Sequence, residues 1–267
     1  CNQGNPEGKM KSKSFALVTG ASSGVGIDFA RELAQRGYDL VLTARRADRL
    51  AAVQQELRSA FGVRVETLTA DLQSAAGARQ LFAEASRLGP ISVLINNAGL
   101  GKFGSTLEQP NEDIETTIQV NVTALTVLAR LFGEEMARRK EGYILNNASF
   151  SAIQPVPSYS VYSGTKAYVL AFSQALRQDL RPHGVRVSAL CPGFFRSEFH
   201  DHAGQVPSPT VRLLMMSSES VARAGIRGLL SGEAVIIPDW RYKLLNLTMR
   251  ALPRTAASWL AEFSVRH

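Results

Sequence analysis

The sequence predicts an α/β fold: one doubly wound parallel sheet of about seven strands with helices on both faces. Short apolar runs rich in Val, Ile and Leu alternate with longer stretches of helical period, at the spacing βαβ units need. Glycine and Gly-Pro punctuation falls between these segments. The 267 residues, 45% hydrophobic and 20% charged, suffice for one large domain with a full core.

Residues 15–19 read as a buried strand, followed by a glycine-rich turn and a helical stretch to about Arg36, which Gly37 stops. Strand two is 39–43, then a helix over 47–61 ends at Gly62. Strand three is 63–69, and the helix 74–88 stops at Gly89-Pro90 before strand four at 91–95. In the second half, 112–139 is one long helical pattern and 143–147 a strand. A helix over 159–180 closes at Pro182-His183-Gly184, and strand six is 185–190. A helix at 218–230 and a short strand at 234–237 complete the alternation. Two stretches break it, 194–216 and the Leu-, Arg- and aromatic-rich tail 238–267. Residues 1–9 (CNQGNPEGK) read as a tag remnant or loose tail before Met10, and 10–267 as a single catalytic domain.

No apolar run is long enough to span a bilayer, and none reads as a secretory signal. The only cysteines are Cys1 and Cys191, which argues against a disulfide scaffold and for a reducing, cytoplasmic setting. The net charge of +7 is scattered, with small clusters at Arg45-Arg46 and Arg138-Arg139-Lys140. That pattern fits a solvated basic surface rather than a nucleic-acid face, and a polyanionic cofactor would account for part of the excess. His200-Asp201-His202 lacks further matched ligands, so no metal is expected.

After strand one comes Thr19-Gly20-Ala21-Ser22-Ser23-Gly24-Val25-Gly26, a GxxxGxG turn between strand and helix. Gly20 and Gly24 permit the tight turn and let the backbone approach a pyrophosphate; Gly26 allows helix to pack on strand. Free N–H groups at the helix start, with Ser22, Ser23 and Val25 among them, suit phosphate. Strand two runs into Ala44-Arg45-Arg46. An NAD site usually has an acid near here; Ala44 stands there instead, and a guanidinium pairs with the 2′-phosphate of NADP(H). Arg45 is the better candidate and Arg46 assists.

Tyr162 and Lys166 stand at i and i+4, on one face of the predicted helix. A phenol is a poor acid–base group at neutral pH, and a neighbouring ammonium is expected to lower its pKa. Alone, Tyr-x-x-x-Lys is a weak signal. Ser149 at the end of strand five, Asn96-Asn97-Ala98-Gly99 at the end of strand four and Asn121 in the long helical segment strengthen it. In a parallel sheet these strand ends converge on one crevice.

In order and spacing, Thr19–Gly26, Asn96–Gly99, Ser149, Tyr162–Lys166 and Pro192-Gly193 resemble the short-chain dehydrogenase/reductases, over nearly all of 10–237. The stretch LTARRADRL and the ending after VIIP resemble a broad bacterial subgroup of NADP-dependent general reductases. The resemblance implies a Rossmann-like sheet and a role for each matching position. Tyr162 would protonate the carbonyl oxygen, Lys166 bind the nicotinamide ribose, and Ser149 polarise the carbonyl. Asn121 would hold a water relaying protons from Lys166. Asp71 and Leu72 would meet the adenine, Asn97, Ala98 and Gly99 the adenosine ribose. Pro192, Gly193, Phe195 and Ser197 would surround the nicotinamide. Ala148, Phe195 and Ser197 depart from the usual Ser, Val or Ile, and Thr; none removes a catalytic group.

The substrate side is expected from 194–216 and residues near 150–159. Phe194, Phe195, Phe199, Leu213, Leu214, Met215 and Met216 would form an adaptable apolar lid, suiting an apolar ketone, aldehyde or 3-oxoacyl group, or would pack as core under a long loop. The tail is expected over the pocket or a neighbouring subunit; membrane contact is not expected. By analogy, the long helices imply a homodimer or homotetramer. Oxidation by an NAD(P)-linked alcohol dehydrogenase is the alternative on the same site; a non-catalytic NADPH sensor would not need all four polar groups.

Overall fold

The computed structural model describes residues 14–196 and 215–251. Its sheet has seven parallel strands: β1 Phe15–Thr19, β2 Asp39–Ala44, β3 Val65–Thr69, β4 Ile91–Asn96, β5 Gly142–Asn147, β6 Val185–Leu190 and β7 Val235–Ile236. Their order across the sheet is β3-β2-β1-β4-β5-β6-β7. The helices are α1 Val25–Gln35, α2 Ala47–Phe61, α3 Ala75–Leu88, α4 Asn111–Ile118, α5 Leu125–Arg139, α6 Ser160–Leu180, α7 Ser218–Ser231 and α8 Trp240–Ala251.

Side chains of a strand alternate between faces, and each face has its own helices. Ala16 and Val18 of β1 join Leu40, Leu42 and Ile95 under Phe29 and Leu33 of α1, Leu50 and Leu57 of α2, and Ile226 of α7. Phe15 and Leu17 join Val41, Leu94 and Val187 under Leu81 of α3, Leu128 and Phe132 of α5, and Leu176 of α6. The five inner strands are largely buried on both faces, hence their near-continuous apolar runs.

Most boundaries fall within one residue of expectation, and three departures are larger. Val63 is not in β3, which begins at Val65 once it pairs with Leu40 of β2. The tail expected to break the alternation contains helix α8, begun by Asp239, whose Oδ1 accepts from Arg241 N at 2.8 Å. The segment expected as one helix is α4, then a π-helical turn over Gln119–Ala124, then α5. A π turn inserts one extra residue without changing apolar periodicity enough to show in the sequence.

Phe132 is fully buried and meets Phe82 edge-to-face at 4.9 Å between centroids. Phe132→Ala is expected to lower the unfolding free energy by about 3–5 kcal/mol, read as a reduced midpoint in urea denaturation with unchanged slope.

Candidate active site

From β3 the chain returns across the sheet to place β4 beside β1 on the opposite side from β2. Connections leaving β1 and β4 therefore diverge to opposite faces, and a crevice opens at the strands' carboxyl ends. A cavity of about 830 Å³ lies there, the size of small-molecule and cofactor sites.

The turn after β1 forms one end of it. Gly20 and Gly24 have φ of 68° and 53°, left-handed backbone that glycine adopts without strain. Gly24 caps α1 with no side-chain hydrogen bond, so no capping side chain competes for the N–H groups of its first turn. A Cβ on Gly26 would lie 2.1 Å from the Gly20 carbonyl oxygen, so only glycine lets α1 start this close. Gly20, Ser22, Ser23, Gly24 and Val25 line the cavity; Gly26 lies behind them. Ala44, Arg45 and Arg46 line it from the end of β2, and Asp71 and Leu72 from beyond β3. Arg46 Nη2 donates to Ser22 Oγ at 3.4 Å, tying the basic corner to the glycine turn. Uncapped N–H groups, two guanidiniums and glycine clearance together fit a phosphorylated dinucleotide.

Ala98 and Gly99 line the middle of the cavity. Asn97 also reaches it, but its side chain is committed to the fold. Its amide donates to the carbonyls of Thr19 at 3.0 Å and Gly20 at 3.3 Å, and its oxygen accepts from Asn147 Nδ2 at 3.0 Å.

Ser149, Tyr162 and Lys166 line the same cavity. The 3-10 turn Phe150–Ala152 begins after Ser149, whose hydroxyl accepts from Ser151 N at 3.1 Å. Ser149 also hydrogen-bonds the Tyr162 hydroxyl. Lys166 Nζ donates to the Asn147 carbonyl at 2.7 Å and stands 5.5 Å from the Tyr162 ring centroid. Burial governs the charges. It pushes Tyr162 up to about 12 against the lowering bond from Ser149, and pulls Lys166 down to about 8. The expected lowering of the phenol by the ammonium is thus corrected: with the protein's own groups desolvation dominates, and it disfavours both charged forms. Beneath them Cys191 is likewise pushed up to about 12 by burial, its sulfur accepting from the Ser149 N–H.

Asn121 is fully buried on the π turn. Its Nδ2 donates to the Leu100 carbonyl at 2.8 Å and Thr165 Oγ1 at 3.0 Å, and its Oδ1 accepts from Leu100 N at 2.8 Å. Thr165 Oγ1 donates onward to the Tyr162 carbonyl at 2.7 Å. Asn121 therefore clamps the segment after β4 to the helix of Tyr162, with one lone pair of Oδ1 left.

Pro192, Gly193, Phe194 and Phe195 line the far end. Phe195 forms an isolated bridge with Met216. Ser197, Phe199, His200, Asp201, His202, Leu213 and Leu214 lie outside the described residues, among them three of the seven residues expected in the lid. So does 252–267 of the tail. The sequence reading missed the Asn147 carbonyl under Lys166, Lys102 at the cavity wall, and Tyr242 from α8. A backbone acceptor leaves no residue signal; for Tyr242 the aromatic-rich tail 238–267, expected over the pocket, was the available hint.

The profile of the short chain dehydrogenase family matches residues 14–206. An uncharacterized oxidoreductase of Myxococcus xanthus (strain DK1622) is 32% identical over 239 residues, 89% of this chain and 92% of that one. The very-long-chain 3-oxoacyl-CoA reductase of Bos taurus is 31% identical over 240 residues, 85% of this chain and 77% of that enzyme. The match spans about half, 53%, of the Phaeosphaeria nodorum enzyme of that name. Among solved structures, a short-chain dehydrogenase from Sphingobium yanoikuyae in complex with NADPH has a TM-score of 0.80 and 36% identity, covering 90% of this chain and 94% of that one.

The buried ammonium has a measurable consequence. Below pH 8 Lys166 is charged in both folded and unfolded chains and its burial opposes folding fully. Between about 8 and its ordinary 10.5 the folded chain sheds the proton while the unfolded chain keeps it, so stability rises with pH. Across that window the protein is expected to gain stability relative to Lys166→Met in denaturation at stepped pH. Parallel pH curves would contradict it.

Proposed function

The chain belongs to the short chain dehydrogenase family of oxidoreductases, and on that premise we propose that it exchanges hydride between NADP(H) and a carbonyl or its secondary alcohol. The hydrogen bond between Ser149 and Tyr162, in one cavity with Lys166 and the glycine turn, carries this reading.

The cofactor proposal rests on Ala44 standing where an acid would bind a ribose hydroxyl, with Arg45 and Arg46 beside it, and on the NADPH in the Sphingobium yanoikuyae relative. Ser22, Ser23, Gly24 and Val25 would receive the pyrophosphate, Arg45 and Arg46 the 2′-phosphate. Asp71 and Leu72 would face the adenine, Ala98, Gly99 and the Asn97 backbone its ribose. Pro192, Gly193 and Phe195, with Ser197 following, would border the nicotinamide. The bound cofactor supplies the hydride.

In reduction, the Tyr162 O–H donates its proton to the substrate oxygen as negative charge grows there, and Ser149 donates a second hydrogen bond. Lys166 holds the cofactor ribose and, beside Tyr162, supplies the positive field that the forming phenolate needs. The proton relay runs through a water on the remaining Oδ1 lone pair of Asn121. Burial holds the Tyr162 phenol in its protonated form, the form that proton donation to a carbonyl uses.

The substrate proposed is an apolar ketone, aldehyde or 3-oxoacyl group. Phe150, Tyr159, Phe194, Phe195 and Tyr242 wall the cavity, and the Bos taurus relative is named for a 3-oxoacyl substrate. Residues 10–267 are proposed as one catalytic domain acting in the cytoplasm. None of the described helices is long and apolar enough to cross a membrane. A homodimer or homotetramer is proposed through the α4–α5 and α6 surfaces, where Ile118 and Tyr168 are exposed.

Tyr162→Phe is expected to lower carbonyl-dependent NADPH oxidation about 10²- to 10⁴-fold while NADPH binding persists. NADPH binding with no turnover of any carbonyl by the unaltered enzyme would favour a sensor. Alcohol oxidation is expected to rise with pH above neutrality while reduction stays flat, because one needs the phenolate and the other the phenol; pH–rate profiles in both directions test this. Arg45→Asp is expected to weaken NADPH about ten- to hundredfold and NADH far less, by fluorescence titration; equal losses would refute the cofactor assignment.

A further inference from the structure

Helix α8 lies beyond the last strand, yet it sends Tyr242 back into the cavity that holds Ser149, Tyr162 and Lys166. The ring lies on Gly193. A Cβ at that glycine would stand 2.0, 2.2 and 2.4 Å from Cζ, Cε2 and Cε1 of Tyr242, so the contact excludes every other residue at 193 unless the ring moves. The backbone N–H of Phe194 donates to the Tyr242 hydroxyl at 3.1 Å. The same ring meets Phe150 edge-to-face, 4.9 Å between centroids at 64°, and packs against the cluster of Ala148, Val169, Cys191 and Ile237. Phe150 N in turn donates to the Pro192 carbonyl at 2.8 Å. Tyr242 thus touches both chain segments that flank the reacting end: the turn 192–194 by ring and hydroxyl, and the residue after Ser149 by ring edge.

We propose that Tyr242 is a positioning and specificity-determining residue, which holds the Pro192–Gly193–Phe194 turn at the nicotinamide end of the cavity and forms the wall that limits the substrate's larger substituent. The proposal rests on the functional reading above for its substrate, and on packing alone for the turn. Two contacts of different kind act there. The hydroxyl fixes where the turn's N–H points, and the ring fixes how far the turn can move inward. Tyr242→Phe removes the first and keeps the second; Tyr242→Ala removes both and widens the cavity.

A thermal cycle tests the packing without any activity. Gly193→Ala is expected to lower the melting temperature in the otherwise unaltered chain and to have little effect in a Tyr242→Ala background; equal losses in both backgrounds would overturn the placement of the ring. Titration with NADPH tests the positioning: Tyr242→Phe is expected to bind it about three- to tenfold more weakly, and unchanged affinity in both Tyr242→Phe and Tyr242→Ala would overturn it. The ratio of kcat/KM for benzophenone over 2-butanone tests the wall. It is expected to rise about tenfold or more in Tyr242→Ala, chiefly through a lower KM for benzophenone, and to stay at its original value in Tyr242→Phe. An unchanged ratio in Tyr242→Ala overturns the specificity role while leaving the reductase reading intact. An unaltered enzyme that reduces neither ketone nor any other carbonyl defeats the reductase reading and the wall with it, and the thermal cycle and the NADPH titration still decide whether Tyr242 holds the turn.

Discussion

The site depends on strand ends held side by side, and the side chain of Asn97 ties them. From the end of β4 it donates to the last carbonyls of β1 and accepts from Asn147 at the end of β5. Thr19 Oγ1 closes the knot by accepting from Asn97 N at 2.9 Å and Ala98 N at 3.0 Å. One layer deeper Asn96 donates to Asn146 at 2.9 Å, and Asn146 to Ser173 on α6 at 2.9 Å. Buried amides paired in this way resist shear between strands, because any slip strands a donor or acceptor away from water. The glycine turn, Ser149 and the helix of Tyr162 inherit their relative positions from these ties.

The second layer of organisation is electrostatic. Desolvation drives Tyr162 and Lys166 in opposite pKa directions, and both toward neutrality. The Asn147 carbonyl is the acceptor that makes a buried lysine tolerable. Beside the buried Lys166, charge is screened less than it would be in open solvent. The reduction proposed above draws on the protonated form of that phenol.

Much of this was legible in the chain. Helix 47–61 and strands 15–19 and 185–190 match their observed bounds to the residue, because apolar period and glycine stops are local signals. Gly20, Gly24 and Gly26 stand out because their spacing reflects backbone geometry that other residues cannot adopt. The π turn at Asn121 escaped, since its surroundings keep a helical period. So did the hydrogen bonds that commit the Asn121 and Asn97 side chains to the fold, whose partners lie 21 to 78 residues away.

The sequence by itself determined the order of strands and helices along the chain and the glycine turn, and singled out Ser149, Tyr162 and Lys166 as candidates, because these depend on periodicity and on chemistry that only certain side chains possess. The tertiary structure alone decided that Lys166 rests on a backbone carbonyl, that Tyr162 is desolvated in a way that raises its pKa, and that Tyr242 lines the cavity from the far end of the chain. Those outcomes follow from desolvation and from contacts between distant segments, and neither quantity exists until the chain has folded.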